Sequence, residues 1–149
     1  MAYDPIAVAN KFLSLARDEG KSLTHMHIQK LVFYAHAYYL AIEDEPLIDA
    51  EIGVWDYGPV IEKMYHEFKN YGGQPIPDPG FVVSGDLPEE DKAVDLIKQV
   101  WNSLKDYTAI QLSNATHGVG EPWSIAKENG SAVIDNESIK KVFSKRITS

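Results

Sequence analysis

The side chains of this 149-residue chain that could do chemistry are five histidines, a set of carboxylates and a group of tyrosines and tryptophans. His25 and His27 stand two apart at a helix start, so their rings diverge, and His36 lies about two and a half turns further on. His66 and Glu67 are adjacent and diverge as well. No H-E-x-x-H pattern or EF-hand loop occurs. The chain has no cysteine, which removes thiolate chemistry and Cys-based zinc sites. Asp56 with Glu62, or Glu62 with Glu67, could pair as acid and base, but a solvated helix face explains them equally well. There is no G-x-S-x-G, P-loop or G-x-G-x-x-G. A small hydrolase would need His117 or His36 within reach of both an acid and a nucleophile. The simpler reading of His36 is packing beside Tyr34 and Tyr39 with a local hydrogen bond. The expectation is therefore no catalytic residue, no metal and no cofactor.

The aromatic residues carry more information. Tyrosine and tryptophan bury large areas while keeping a polar handle, which makes them anchors of protein interfaces. Tyr34, Tyr38, Tyr39, Trp55, Tyr57 and Tyr65 are hard to enclose together in a chain of this size. Core packing accounts for Trp55 and Tyr39 at least as well as an interface does. Tyr38 and Tyr57, with the acids Glu43, Asp44 and Asp56, are the candidate protein-binding residues.

The elements that must position these groups are mainly helical. Asp4-Pro5 starts a helix over about 5–19, closed by Gly20. Thr24 caps a second, in which Ile28, Leu31, Val32, Ala35, Tyr39 and Ile42 form the buried stripe. Phe33, Tyr34, His36 and Tyr38 widen that stripe around nearly the whole circumference, so this helix is expected at the centre. It ends in Glu43-Asp44-Glu45 at the unfavourable end of its dipole, where solvent or a basic partner must screen the acids. Residues 47–55 read as a short strand, paired just upstream or with Phe81-Val82-Val83. Asp56-Tyr57-Gly58-Pro59 reads as a turn into a third helix, with Pro59 in its first position. After a proline- and glycine-rich stretch, Asp86 and Glu89 resemble a capping box for a fourth helix over about 87–105. Thr108 and Gln111 form a second box for a helix over about 109–116. Pro122-Trp123 opens another, and Asn136 caps the last. The expected fold is mainly α: one compact, orthogonal assembly of about six or seven helices spanning 1–149, with a small β element near 47–55 and 81–83.

The formal net charge is −8, with 44% hydrophobic residues. The acids are spread along the chain, 11 against 6 bases before Pro75 and 11 against 8 after it. Such a surface repels a polyanionic backbone and fits a basic or mixed protein partner better than nucleic acid. No signal peptide and no membrane-spanning run is visible, which fits a cytoplasmic location with no membrane partner.

One set of residues resembles a known family. It comprises Ile28-Gln29-Lys30-Leu31-Val32-Phe33-Tyr34-Ala35, Leu40-Ala41, Pro46-Leu47, Ile52, Trp55, Tyr57-Gly58-Pro59-Val60, Tyr65 and Phe68 to Gly72. An L-Q-K-L-like helix followed by W-x-Y-G-P is similar to the Panacea domain of SocA-like antitoxins, a family that includes phage-associated proteins. Leu112-Ser113, Thr116-His117 and Pro122-Trp123 match the family's second signature. Here Gly118 and Gly120 stand where relatives often have polar residues. The resemblance implies a non-enzymatic antitoxin whose partner is a toxin from an adjacent gene. The toxin would be neutralised by direct binding or, in an adaptor variant, handed to a cellular protease. A phage or mobile-element protein that blocks host defence is a further alternative. The resemblance marks Gln29, Lys30, Tyr34, Trp55, Gly58, Pro59, Thr116, His117 and Trp123 as signature residues. Their polar groups are expected to meet near the Tyr57-Gly58-Pro59 turn, as a structural network or as a pocket.

Overall fold

Most helix starts follow from local capping chemistry. A computed structural model describes residues 2–77, 87 and 91–148. Helix α1 (Pro5–Asp18) starts where the Asp4 carboxylate accepts the Ile6 amide at 2.9 Å. Helix α2 (His25–Glu43) starts at Thr24, whose hydroxyl accepts the His27 amide. Then come strands β1 (Ile52–Trp55) and β2 (Gly58–Ile61), helix α3 (Glu62–Phe68) and a single 3-10 turn over Lys69–Tyr71. Helices α4 (Lys92–Leu104), α5 (Ala109–Thr116), α6 (Pro122–Glu128) and α7 (Asn136–Thr148) complete seven helices among the described residues. The fold is mainly α with one small antiparallel pair, and the Thr108–Gln111 capping box is formed in full. No described helix is long and apolar enough to cross a membrane.

Helix α2 is the centre. It packs against α1, α3, α4, α5, α7 and β2, and almost every residue from Ile28 to Leu40 is buried. Ile42 departs from the expected stripe: it is 51% exposed, because the helix has left the core by its last turn. His36 is fully enclosed, yet its partners are distant in sequence. Its Nδ1 accepts the Leu47 and Ile48 amides, and its Nε2 reaches the Asn136 amide oxygen at 3.0 Å. This fixes the neutral tautomer with the hydrogen on Nε2. Burial pushes its pKa below the ordinary value.

Several expected boundaries shift. Pro59 does not open a helix. It lies inside β2, opposite Val54 in the non-hydrogen-bonded register, where its missing amide hydrogen costs the ladder nothing. The strand pair is formed with residues downstream of β1, and Phe81-Val82-Val83 lies outside the described residues. Helix α4 begins after Asp91, whose carboxylate accepts the Ala93 amide at 2.8 Å. Asp86 and Glu89 also lie outside the described residues. Asp135, not Asn136, caps α7 by accepting the Ser138 amide, which leaves Asn136 for His36.

Candidate functional site: the hairpin tip and its aromatic cleft

The β1–β2 hairpin is too short to stand alone, and the rest of the chain supplies partners for both its edges. Along the outer edge of β1, the Val54 amide donates to the Ala132 carbonyl at 2.9 Å. The Ile134 amide donates back to Ile52 at 2.8 Å. Along the outer edge of β2, side chains of α2 replace a strand. The Gln29 amide oxygen accepts the Ile61 N–H at 2.8 Å and its nitrogen donates to the Ile61 carbonyl at 3.2 Å. One turn position on, the Lys30 ammonium donates to the Pro59 carbonyl at 3.1 Å.

The two-residue loop Asp56-Tyr57 is held in the same way. The Trp123 indole N–H donates to the Trp55 carbonyl at 2.8 Å, and the Ser113 hydroxyl donates to that of Tyr57 at 2.8 Å. His117 Nε2 lies 3.2 Å from the Asp56 carbonyl, while its Nδ1 lies 2.7 Å from the Ser113 carbonyl. Thr116 donates its hydroxyl to the same Ser113 carbonyl at 2.6 Å. Gly58 closes the loop at φ +111°, and a Cβ there would stand 2.7 Å from the Thr116 hydroxyl and 3.2 Å from Lys30 Nζ. Gly58 is thus required both by its φ and by the closeness of its neighbours.

Around this tip the structure gathers Gln29, Lys30, Trp55, Asp56, Tyr57, Gly58, Pro59, Thr116, His117 and Trp123. Ser113 belongs to the cluster too. Sequence reasoning quoted it within a signature without giving it a role, although Ser113, Thr116 and His117 at i, i+3 and i+4 share one face of α5. Tyr34 stands behind the cluster, lining a small gap together with Thr116 and Trp123. It is buried with its ring edge-on to Phe33 and tilted against Phe143, and its hydroxyl is pushed up to about 12 by burial. Tyr38, Glu43 and Asp44 lie at the other end of α2. Tyr38 is half-buried with its ring edge-on to Phe143 at 5.0 Å. Glu43 pairs with Lys92 at 3.0 Å and Asp44 with Lys140. The chain's own lysines screen the acidic turn.

Beside the hairpin tip opens a cleft of about 460 Å³, walled by His25, Met26, Gln29 and Lys30 of α2, by Trp55 to Tyr57 and Val60, and by Tyr65 and Gly72. The Trp55 ring lies 4.8 Å from that of Tyr65, which lies 5.5 Å from His25. Tyr57 stands at the rim, 73% exposed. Tyr65 is one of the aromatic residues singled out in the sequence but not one of the candidate binding residues, and His25 has no expected role there; the i, i+4 spacing of His25 and Gln29 is the available signal. Burial pushes the Lys30 ammonium down to about 8. It also lowers the His25 pKa, with the charge of Lys30 adding to the effect.

The geometry does not assemble acid–base catalysis on the histidines considered. The ring nitrogens of His36 and His117 face amides and carbonyls, with no carboxylate among their described hydrogen-bond partners. Among the described residues, no group of three or more His, Asp or Glu side chains is placed to hold a metal ion.

A family model described as "Antitoxin SocA-like, Panacea domain" matches residues 28–124, the stretch that carries Gln29, Lys30, the hairpin, α5 and the start of α6. Antitoxin SocA of Caulobacter vibrioides (strain NA1000 / CB15N) is 27% identical over 130 residues, 82% of this chain and 69% of that protein. No solved structure matches the chain. The chain belongs to the SocA-like antitoxin family and carries its Panacea domain.

Proposed function

We propose that this protein is a cytoplasmic antitoxin that neutralises a protein toxin, encoded by an adjacent gene, by binding it directly. The observation that carries the reading is the aromatic cleft with Tyr57 exposed at its rim, held open by a hairpin whose carbonyls are fixed by Lys30, Ser113, His117 and Trp123. Rigid aromatic groups around a concave site form an interface at small entropic cost. Family membership and the likeness to an antitoxin support the same reading. Neutralisation by mass action requires a tight, long-lived complex.

The test is co-expression with the product of the neighbouring gene. The expected result is restored growth together with a complex that survives purification. Neither rescue nor complex overturns the antitoxin reading for that pair. Rescue in which the toxin disappears, and only in cells with an intact protease, overturns direct binding in favour of delivery to that protease.

A further inference from the structure

The cleft beside the hairpin holds a charge that its own walls do not balance. Lys30 is 1% exposed, and its single described partner is the Pro59 carbonyl. An ammonium has three N–H donors and pairs with an anion when buried. Lys63, Lys92, Lys105 and Lys140 all have a carboxylate within ion-pair distance, and each is more exposed than Lys30.

The surroundings add to this field. The first turn of α2, which supplies His25 and Met26 to the wall, contains no acid to offset the positive end of its helix dipole. Gln29 Nε2 donates to His25 Nε2 at 3.0 Å, so His25 carries its hydrogen on Nδ1 and is a further donor rather than an acceptor. The one acid among the described residues of the wall, Asp56, has its side chain 93% exposed and lies 3.9 Å from Lys127. The remaining surface is apolar and aromatic, from Met26, Trp55, Val60 and Tyr65. Low-dielectric walls around an uncompensated cation focus its field into the cleft. One such charge in about 460 Å³ suits one anionic side chain with an apolar neighbour. A polyanion would instead meet the net charge of −8.

We infer that this cleft is the toxin-docking site and that it takes a carboxylate borne beside an apolar side chain of the partner, the acid turned toward Lys30 and the apolar group packed on Trp55 and Tyr65. This rests on the antitoxin reading, but its chemistry can be tested without the toxin. In the first arm, 3-phenylpropionate and its neutral amide are titrated against the whole protein while the Trp55 indole N–H resonance is followed by NMR. The carboxylate is expected to shift that resonance and to bind at least about tenfold more tightly than the amide. The preference should vanish in Lys30→Met. Equal binding of acid and amide to the wild type overturns the inference, whatever the variant does.

In the second arm, the neighbouring gene product is bound to wild type, to Lys30→Met and to Tyr57→Ser, whose exposed side chain can be removed without unfolding the chain. Loss of a desolvated charge pair is expected to weaken binding about 30-fold or more. One carboxylate-to-amide change on the toxin should give the same loss, and combining it with Lys30→Met should add little further. A toxin that binds wild type and both variants equally overturns the docking site and leaves the antitoxin reading standing. Acid-selective binding in the first arm with no toxin complex in the second does the reverse.

Discussion

The two ends of α2 both carry charge, three acids at one and a single lysine near the other, and the chain treats them in opposite ways. At the C-terminal end, Glu43, Asp44 and Glu45 face the unfavourable end of the helix dipole. Lys92 lies 3.0 Å from Glu43 and 3.5 Å from Glu45, and Lys140 pairs with Asp44. At the other end, about 20 Å away along the axis, Lys30 is buried with a carbonyl for company and no acid among its described partners. Exposed acids and flexible lysines find each other at small cost and small gain. A buried, unpaired cation is different: it costs stability in every molecule that folds, so its presence asks for a reason outside the fold. Among the described residues the acidic end finds its counter-charges, whereas the hairpin end does not.

The largest test of this contrast lies in how each end is built. Both have a residue with positive φ, Asp44 at 59° and Gly58 at 111°. The first sits in the left-handed well that Asp tolerates. The second does not, and its Cα faces the Thr116 hydroxyl and the Lys30 ammonium. Gly58→Ala should therefore destabilise the protein by about 3 kcal/mol or more, measured by denaturant unfolding. An unchanged midpoint would mean that the hairpin tip is not held as described. Gln29→Leu comes next. It leaves the Ile61 amide and carbonyl without their partners, and about 2–3 kcal/mol should be lost.

Lys30 sharpens the comparison because its effect has the opposite sign. Its folded-state pKa of about 8 lies below the unfolded value of about 10.4. Between these values the unfolded chain binds more protons, so stability rises with pH. From pH 8 to 10 the gain should be about 2 kcal/mol. Tyr3, Tyr34 and Tyr39, raised to about 12, oppose it as the pH nears 10, where each is half ionised in the unfolded chain and removes about 0.4 kcal/mol, so the net rise from pH 8 to 10 is about 1 kcal/mol. Lys30→Met should abolish that rise. Near neutral pH the variant should melt no lower than wild type, since relief of the buried charge offsets the Pro59 carbonyl left without a donor. A variant that melts lower, with the pH rise intact, would show that Lys30 is an ordinary structural lysine.

The parts of this arrangement that could be read in the chain were the local ones. The caps at Asp4, Thr24 and Thr108 reach two or three residues, so side-chain type and spacing reveal them. The central position of α2 followed from its aromatic circumference. Pro59 was misplaced because a missing amide hydrogen suits a helix start and the outward register of a strand equally well. Asp135 and Asn136 are both good cap residues, and only the distant His36 decides between them. The hairpin's partners were harder still. Gln29 reaches Ile61 and Lys30 reaches Pro59 across about 30 positions, and nothing in local periodicity says that a glutamine on an aromatic helix will stand in for a strand. Resemblance to the family marked those residues without saying what they bond. Ser113, which completes the cage around the loop, went unassigned because a serine inside a short helix has no signature of its own.

The smallest expected effect closes the comparison from the acidic end. Lys92 serves two carboxylates, Glu43 and Glu45, and the hydrogen bond to Glu43 raises its pKa above the ordinary value. Its side chain is more than half exposed, however, and water is ready to replace it. Lys92→Ala should move the thermal midpoint by no more than about 3 °C. Raising the salt concentration should shrink even that difference, because exposed pairs are screened within about 10 Å at 0.1 M. The variant should also bind the neighbouring gene product within about threefold of wild type, since the charges it frees are acids on a surface that already repels acids. A large loss of toxin binding in Lys92→Ala, beside an intact complex in Lys30→Met, would reverse the assignment. The acidic turn would then be the docking end of α2, and the buried lysine a feature of the fold alone.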